Sequence, residues 1–163
     1  MCCNNYYRAV TEILLKELKQ SRPFGSLEEA TFLSLQRTAS TWMQALAHRL
    51  RPFDLTPTQY NVLRILRGAH PGSLTCTQIG ERMVTPVPDV TRLLDRLLTR
   101  HLVWKARDET DRRIMRVEIS GQGLELLASL DEQVLTWLQE LLSPLEQEEM
   151  RTLGALAAKA RHG

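Results

Sequence analysis

The chain has 163 residues, 43% hydrophobic and 25% charged, a composition that allows a domain-sized core and excludes wholesale disorder. Lys and Arg number 21 against 19 Asp and Glu, so a net charge of +2 does not by itself single out a nucleic-acid partner. No apolar run approaches the roughly eighteen residues of a membrane span, and the start MCCNNYYRAVTE lacks a secretory layout, so no membrane association is expected and the expected compartment is cytoplasmic.

Apolar residues at Tyr6, Val10, Ile13, Leu14 and Leu18 predict a first helix over residues 6–19, broken by SRPFGS. A second is predicted from Leu27 to about Leu50, with Phe32, Leu35, Ala39, Trp42, Leu46 and Leu50 at threes and fours, until Arg51-Pro52 stops it. Thr56 as N-cap and Pro57 at the first helical position open a third, with Leu63 and Leu66 facing inward. Gly68 and Pro71-Gly72 end it, and Leu74 adds a very short strand before the brief helix TCTQIGERM. The prolines of VTPVP demand a loop or a first turn, after which a helix runs from Asp89 to Arg100.

There the period changes. Val103, Lys105 and Arg107 alternate with Leu102, Trp104 and Ala106, and beyond the polar turn DETD, Met115, Val117 and Ile119 alternate with Arg116 and Glu118, which predicts a hairpin. Ser120 then caps a long helix striped by Leu127, Leu130, Val134, Leu138, Leu141 and Leu145. A capping box of Ser143 and Glu146 is expected to start a last helix reaching about Lys159. A two-stranded hairpin is not stable alone, so it must lean on the adjacent helices. The expected fold is mainly α: a winged helix-turn-helix with a two-stranded β wing, flanked by N- and C-terminal helices. Residues 1–52 and 121–163 form the flanks and 53–120 the winged segment.

Charge is distributed unevenly. From Arg92 to Arg116 lie Arg92, Arg96, Arg100, Lys105, Arg107, Arg112, Arg113 and Arg116, whereas residues 125–149 are acidic. A recognition helix needs polar side chains at the end that approaches base edges in the major groove. With Val90, Leu93, Leu94, Leu97 and Leu98 buried, Asp89, Thr91, Arg92, Arg96 and Arg100 are left outside, and Thr85 lies just upstream. Thr91 and Arg92 are placed to reach bases, Arg96 and Arg100 to meet phosphates. Carboxylates repel phosphate, so some of Asp108, Glu109 and Asp111 must have internal partners; Asp95 is expected to pair with one wing arginine, leaving another for the minor groove.

The run from Asp111 to Gly123, DRRIMRVEISGQG, resembles the wing pattern D-x-R-x-x-x-V-x-L-T-x-x-G of the MarR family of transcription regulators, with Ile119 and Ser120 at the Leu and Thr positions. LTPTQYNVLRIL is similar to that family's LTxxQxxVLxxL, and VTRLLDRLLTRHLV to its VTRxLDxLexxGLV, in the same order and spacing from Leu55 to Gly123. His101 departs from the pattern, standing where the family has glycine, as do Pro86 and Pro88. The resemblance implies a ligand-responsive repressor that binds double-stranded DNA as a homodimer at a near-palindromic operator. Arg112 would be the wing-tip contact, Asp95 and Arg113 the helix-to-wing ion pair, and Thr85, Arg107 and Arg116 further DNA contacts. It also implies that the N- and C-terminal helices, residues 1–52 and 121–163, form a dimerisation domain, and that a small aromatic or phenolic effector binds between it and the DNA-binding part, with Trp42, Arg49, Phe53 and Tyr60 as candidate lining residues.

Rival readings stay open. A winged helix can serve protein contact alone, and Cys76 could make the regulator redox-responsive, although inert packing explains it as well. Cys2, Cys3 and Cys76 form no disulfide or metal pattern, and His48, His70, His101 and His162 have no HxxxH spacing, so neither metal nor cofactor is expected. No phosphate loop or nucleophile motif is present to anchor an enzymatic reaction.

Overall fold

In the computed structural model, which describes residues 11–162, the chain divides into a unit ending at Ala45 and a unit beginning at Leu46. In the first, residues 11–17 form helix α1. Helix α2 spans Leu27–Leu50 and ends in the second unit, with Glu28 and Glu29 in its first turn and His48 and Arg49 in its last, each complementing the helix dipole. Leu14 and Ala30 are buried, and Arg37 pairs with Glu17 at 3.7 Å. Phe32 and Leu35 of the predicted α2 stripe are 65% and 44% exposed. Tyr6 and Val10 of the predicted first helix, together with Cys2 and Cys3, lie outside the described residues.

The second unit opens with a 3-10 turn, Arg51–Phe53, closed by Asp54 in a left-handed conformation (φ 52°). Helix α3 (Pro57–Ala69) starts as the sequence predicts: the Thr56 hydroxyl accepts the Gln59 N–H while the Gln59 side chain accepts the Thr56 N–H. Strand β1 (Leu74–Thr75) leads into helix α4 (Cys76–Arg82), begun by the same reciprocal device from Thr75 and Gln78. Helix α5 (Val90–Thr99) follows, then the hairpin strands β2 (Val103–Arg107) and β3 (Met115–Ile119). The wing has one strand more than expected. Its order is β1-β3-β2, all antiparallel, because Leu74 pairs opposite Val117 and gives the inner edge of β3 a backbone partner.

Val62, Leu63 and Leu66 of α3, Ile79 of α4, Leu94 and Leu97 of α5 and Val103 and Val117 of the wing are fully buried. Each such side chain contributes about 1.5–3 kcal/mol of burial. Helix α6 (Gly121–Leu142) adds Leu127 and Leu130 to this core, but its stripe divides: Val134 is buried, while Leu138 is 41% exposed, as is Leu135 beside the stripe at 59%. The first half of α6 therefore shares the core of the winged segment.

Helix α7 (Gln147–His162) begins later than its predicted cap. Ser143 remains in the last turn of α6, donating its N–H to the Glu140 carbonyl, and Leu145 N–H continues the turn to Leu142. The chain passes Pro144, and the Glu149 carboxylate accepts the Glu146 N–H at 2.9 Å in place of the expected Ser143 and Glu146 box. Among the described residues no helix is long and apolar enough to cross a membrane.

Candidate nucleic-acid interface

Helix α5 presents its first turn outward because Leu94 and Leu97 fix the opposite face in the core. Asp89 is the N-cap, its Oδ1 accepting the Arg92 N–H at 2.8 Å, so the helix starts one residue after the predicted position. Asp89, expected at the DNA, is thus committed to the helix terminus. The preceding loop holds Thr85 exposed and is pinned to α3 by the Val84 N–H on Asn61 Oδ1 at 3.0 Å. Thr91, Arg92 and, one turn on, Arg96 are exposed.

At the other end of α5 the backbone reverses. His101 takes φ 56° and its N–H donates to the Leu98 carbonyl, while the Leu102 N–H reaches back to Leu97, both at about the lengths of good bonds (2.9 and 3.1 Å). This is the left-handed helix ending that usually employs glycine, with buried Leu102 and Leu97 supplying its apolar contact. The buried Ser120 hydroxyl ties the same place to α6, donating to the His101 carbonyl at 2.6 Å and accepting the Gly123 N–H at 3.0 Å. A side chain at Gly123 would put Cβ 2.3 Å from the Leu102 carbonyl oxygen, which accounts for glycine there. The base of the wing and the end of α5 are therefore one junction.

Three cations of the basic stretch are spent inside the protein. Arg100 donates to the carbonyls of Phe53 (3.1 Å) and Asp54 and lies 3.5 Å from the Asp54 carboxylate. Lys105, whose side chain is only 11% exposed, meets Asp95 Oδ1 at 2.5 Å. Arg116 Nε meets Asp108 Oδ2 at 2.7 Å. Asp108 Oδ1 also accepts the N–H groups of Thr110 (2.9 Å) and Asp111 (3.0 Å). The Asp111 N–H, then the Arg116 guanidinium, then the Thr110 N–H lower its pKa from 3.8 to about 2.

These contacts correct three expectations, the first being that Arg100 meets phosphate, since the Phe53 and Asp54 carbonyls hold its guanidinium. Asp95 braces the wing through Lys105, not Arg113. Lys105 sits within β2 directly over α5, whereas Arg113 is out in the turn, its N–H on the Asp111 carboxylate at 2.9 Å. Arg116, expected to touch DNA, is half-buried and holds the hairpin turn. Nothing local in the sequence marks Arg100 or Lys105 as braces; their partners come from other elements.

The remaining arginines form a different group. Arg92, Arg96, Arg107, Arg112 and Arg113 are exposed, and among the described residues none makes an ion pair. The nearby carboxylates of Asp54, Asp89, Asp95, Asp108 and Asp111 are turned to backbone N–H groups or cations, although Glu109 at the turn is exposed. A helix face and a wing tip carrying unpaired guanidinium groups can take phosphate oxygens and base-edge acceptors.

Three of the four expected effector residues, Arg49, Phe53 and Tyr60, make ring or core contacts. Arg49 bonds Glu140 at 2.8 Å and stacks 5.9 Å from the centre of Trp137, whose ring also meets Phe53 at 6.3 Å. Tyr60 is buried beneath the Arg64 guanidinium, and burial pushes its phenol pKa up. Trp42 is half-buried on α2, in the unit ending at Ala45. A cavity of about 480 Å3 in the second unit is lined by other residues, including Arg51, Leu55, Pro57, Arg96 and Arg100. Trp137 of α6 thus contacts both Arg49 and Phe53. Cys76 is free and half-buried, packed against the core as the first residue of α4.

Residues 53–114 match the sequence model of the MarR family. A MarR transcription factor from Planctomyces limnophilus is 36% identical over 83% of this chain and 98% of its own, with a TM-score of 0.66. A mutant MarR from E. coli complexed with operator DNA is 25% identical over 77% of this chain and 89% of its own, with a TM-score of 0.71. MepR from S. aureus, in a DNA complex, is 26% identical over 78% and 94%, with a TM-score of 0.70.

Proposed function

This chain belongs to the MarR family of DNA-binding transcription regulators, and from that premise we propose that it is a cytoplasmic homodimeric repressor of a near-palindromic operator. One observation carries the reading: Arg92 and Arg96 on α5 and Arg107, Arg112 and Arg113 on the wing make no ion pair among the described residues, while Asp89, Asp95, Asp108 and Asp111 are engaged by backbone N–H groups or other cations. In this reading two α5 helices enter successive major grooves about 34 to 36 Å apart, with Thr91 and Arg92 on base edges. Arg96 meets phosphate, Thr85 approaches the backbone from the preceding loop, and Arg112, with Arg107, reaches the flanking minor groove, whose negative potential attracts guanidinium groups. Exposed Phe32 and Leu35 on α2, Leu135 and Leu138 on α6 and Met150 and Leu156 on α7 support a dimer, since such apolar surface favours burial against a second copy.

The test is a binding titration of the full chain on an inverted repeat from its own upstream region, repeated across salt concentrations. Arg112→Ala should weaken binding to every sequence and make the slope of log K against log salt shallower by about 1, as loss of one phosphate contact requires. Thr91→Ala and Arg92→Ala should change sequence preference at about 1–3 kcal/mol per lost base contact. Salt-independent binding, or no binding to duplex DNA, would favour protein contact as the work of this winged helix.

A further inference from the structure

Pro86 and Pro88, which depart from the family pattern, occupy the loop that leads into α5. That loop is anchored along its length. Met83 is buried, the Val84 N–H donates to Oδ1 of Asn61 on α3 at 3.0 Å, Val87 packs against the core, and Asp89 caps α5 through the Arg92 N–H. With Val87 turned inward between them, Pro86 and Pro88 stand on the outer side, both exposed, just before the N-cap. The pyrrolidine rings also fix the backbone φ at both positions, so a contact made here loses little conformational freedom.

This edge is poorly suited to phosphate. Residues 83–90 carry no Lys or Arg, a proline has no N–H to offer an anion, and the N–H groups of Val84 and Arg92 are already taken. It suits an apolar group beside the base edges that Thr91 and Arg92 face, and the major groove offers one, the 5-methyl group of thymine. We propose that Pro86 and Pro88 read a thymine methyl in each half-site, and that Asn61 is the positioning residue that holds this edge in place. The inference rests on the DNA-binding reading and adds to it a base-specific contact made outside α5. Asn61 acts through Val84, 23 positions away in sequence, and so ties the first helix of the winged segment to the approach of α5.

The experiment titrates the full chain on the inverted repeat from its upstream region, with each thymine replaced in turn by deoxyuridine, which removes the methyl and keeps the base pair. One thymine per half-site should be sensitive, its replacement weakening binding about fourfold, the loss expected for one buried methyl group. With the methyl between two rings, Pro86→Ala and Pro88→Ala should each cut this thymine-to-uracil ratio to about twofold, and the double variant to about one. The salt slope should not change in any of them, because no phosphate contact is lost. Asn61→Ala should likewise bring the ratio to about one at an unchanged slope, and Asn61→Asp, which keeps the acceptor oxygen, should restore it. Thermal melts verify each fold, and the single proline variants decide the matter where the double variant does not fold. The absence of a sensitive thymine overturns the contact. So does a ratio that both proline replacements leave at about fourfold, which would assign that step to another residue or to DNA shape. A shallower salt slope in the proline variants would make the loop a phosphate contact and overturn the proposal too. Asn61→Ala with an intact ratio would remove the role of Asn61 alone, whereas failure of the wild-type chain to bind duplex DNA would strike the functional reading instead.

Discussion

Within residues 85–116 the cations fall into an outer and an inner group. Arg92, Arg96, Arg107, Arg112 and Arg113 face outward with no ion pair among the described residues; Arg100, Lys105 and Arg116 each close on an aspartate, Asp54, Asp95 and Asp108 respectively. Composition counts these residues alike, yet they do opposite work. The outer group offers charge to a partner, and its contribution is realised only when phosphate displaces counterions. The inner group offers position: Arg100 holds the end of α5 against the turn after α2, Lys105 holds β2 against α5, and Arg116 holds the wing turn closed. Exposed ion pairs in isolation stabilise little, but Lys105 is nearly buried and fixes β2 on α5, and Arg100 also fills two backbone acceptors and fixes the end of α5 on the turn before α3.

The largest effect should come from breaking the inner group at Arg100. Arg100→Ala leaves the carbonyls of Phe53 and Asp54 without their charged donor and should lower unfolding free energy by about 2 kcal/mol in a urea titration. DNA affinity should fall as α5 loosens, but the salt slope should stay at the wild-type value, because no phosphate contact is lost. That separates it from Arg112→Ala. A slope made shallower by about 1 in Arg100→Ala would move this residue to the outer group.

Much of the scaffold is legible in the sequence because it is written in local chemistry. Thr56 caps α3, Ser120 caps α6, and the alternation from Val103 to Ile119 encodes the hairpin; each reading needs only neighbours. The spacing of Ser143 and Glu146 is equally suggestive and misleads, because the chain continues the turn past Pro144 and Glu149 reaches the free N–H first. The division of the arginines is not local. Arg100 finds its acceptors 46 and 47 positions away, so no window of sequence could tell it from Arg96, its neighbour on the same helix. The resemblance places Asp95 at a helix-to-wing brace and proposes Arg113 as its partner, but Lys105 takes that position from within the strand. Gly123 is visible as a motif letter, while its cause, the approach of the Leu102 carbonyl, exists only in three dimensions.

A smaller effect, of opposite sign, sharpens the comparison at the junction behind the inner group. His101 pays the left-handed penalty of a side chain at φ 56° where glycine would not. His101→Gly should raise unfolding free energy by about 1 kcal/mol, the part of the left-handed penalty left after the looser unfolded chain is counted. The Ser120 hydroxyl keeps its acceptor, the His101 carbonyl being backbone. DNA affinity and salt slope should both be unchanged, since His101 belongs to neither group of cations. A loss of stability would mean that the imidazole supports the turn beyond its backbone.

The smallest effect at neutral pH, and the only one that appears on acidification, separates the groups by titration. Arginines of the outer group keep their charge throughout, so acid leaves that surface cationic. The inner group depends on carboxylates, and Asp108 is held down at about 2 against an ordinary 3.8 by the Asp111 N–H, the Arg116 guanidinium and the Thr110 N–H. A pKa lowered by folding means that the unfolded chain takes up the proton first as pH falls. The stability contributed by Asp108 is therefore complete above pH 3.8, declines from there towards pH 2, and is absent below. Asp131 of α6, lowered by its two hydrogen bonds from Arg67, adds acid sensitivity elsewhere, so the wing must be isolated by substitution. Unfolding free energies of wild type and Asp108→Asn, measured from neutral to acid pH, should differ by a constant amount above pH 4 and draw together below it. Curves that stay parallel down to pH 2 would show that Asp108 contributes no acid dependence, and that the wing turn is held by its backbone alone.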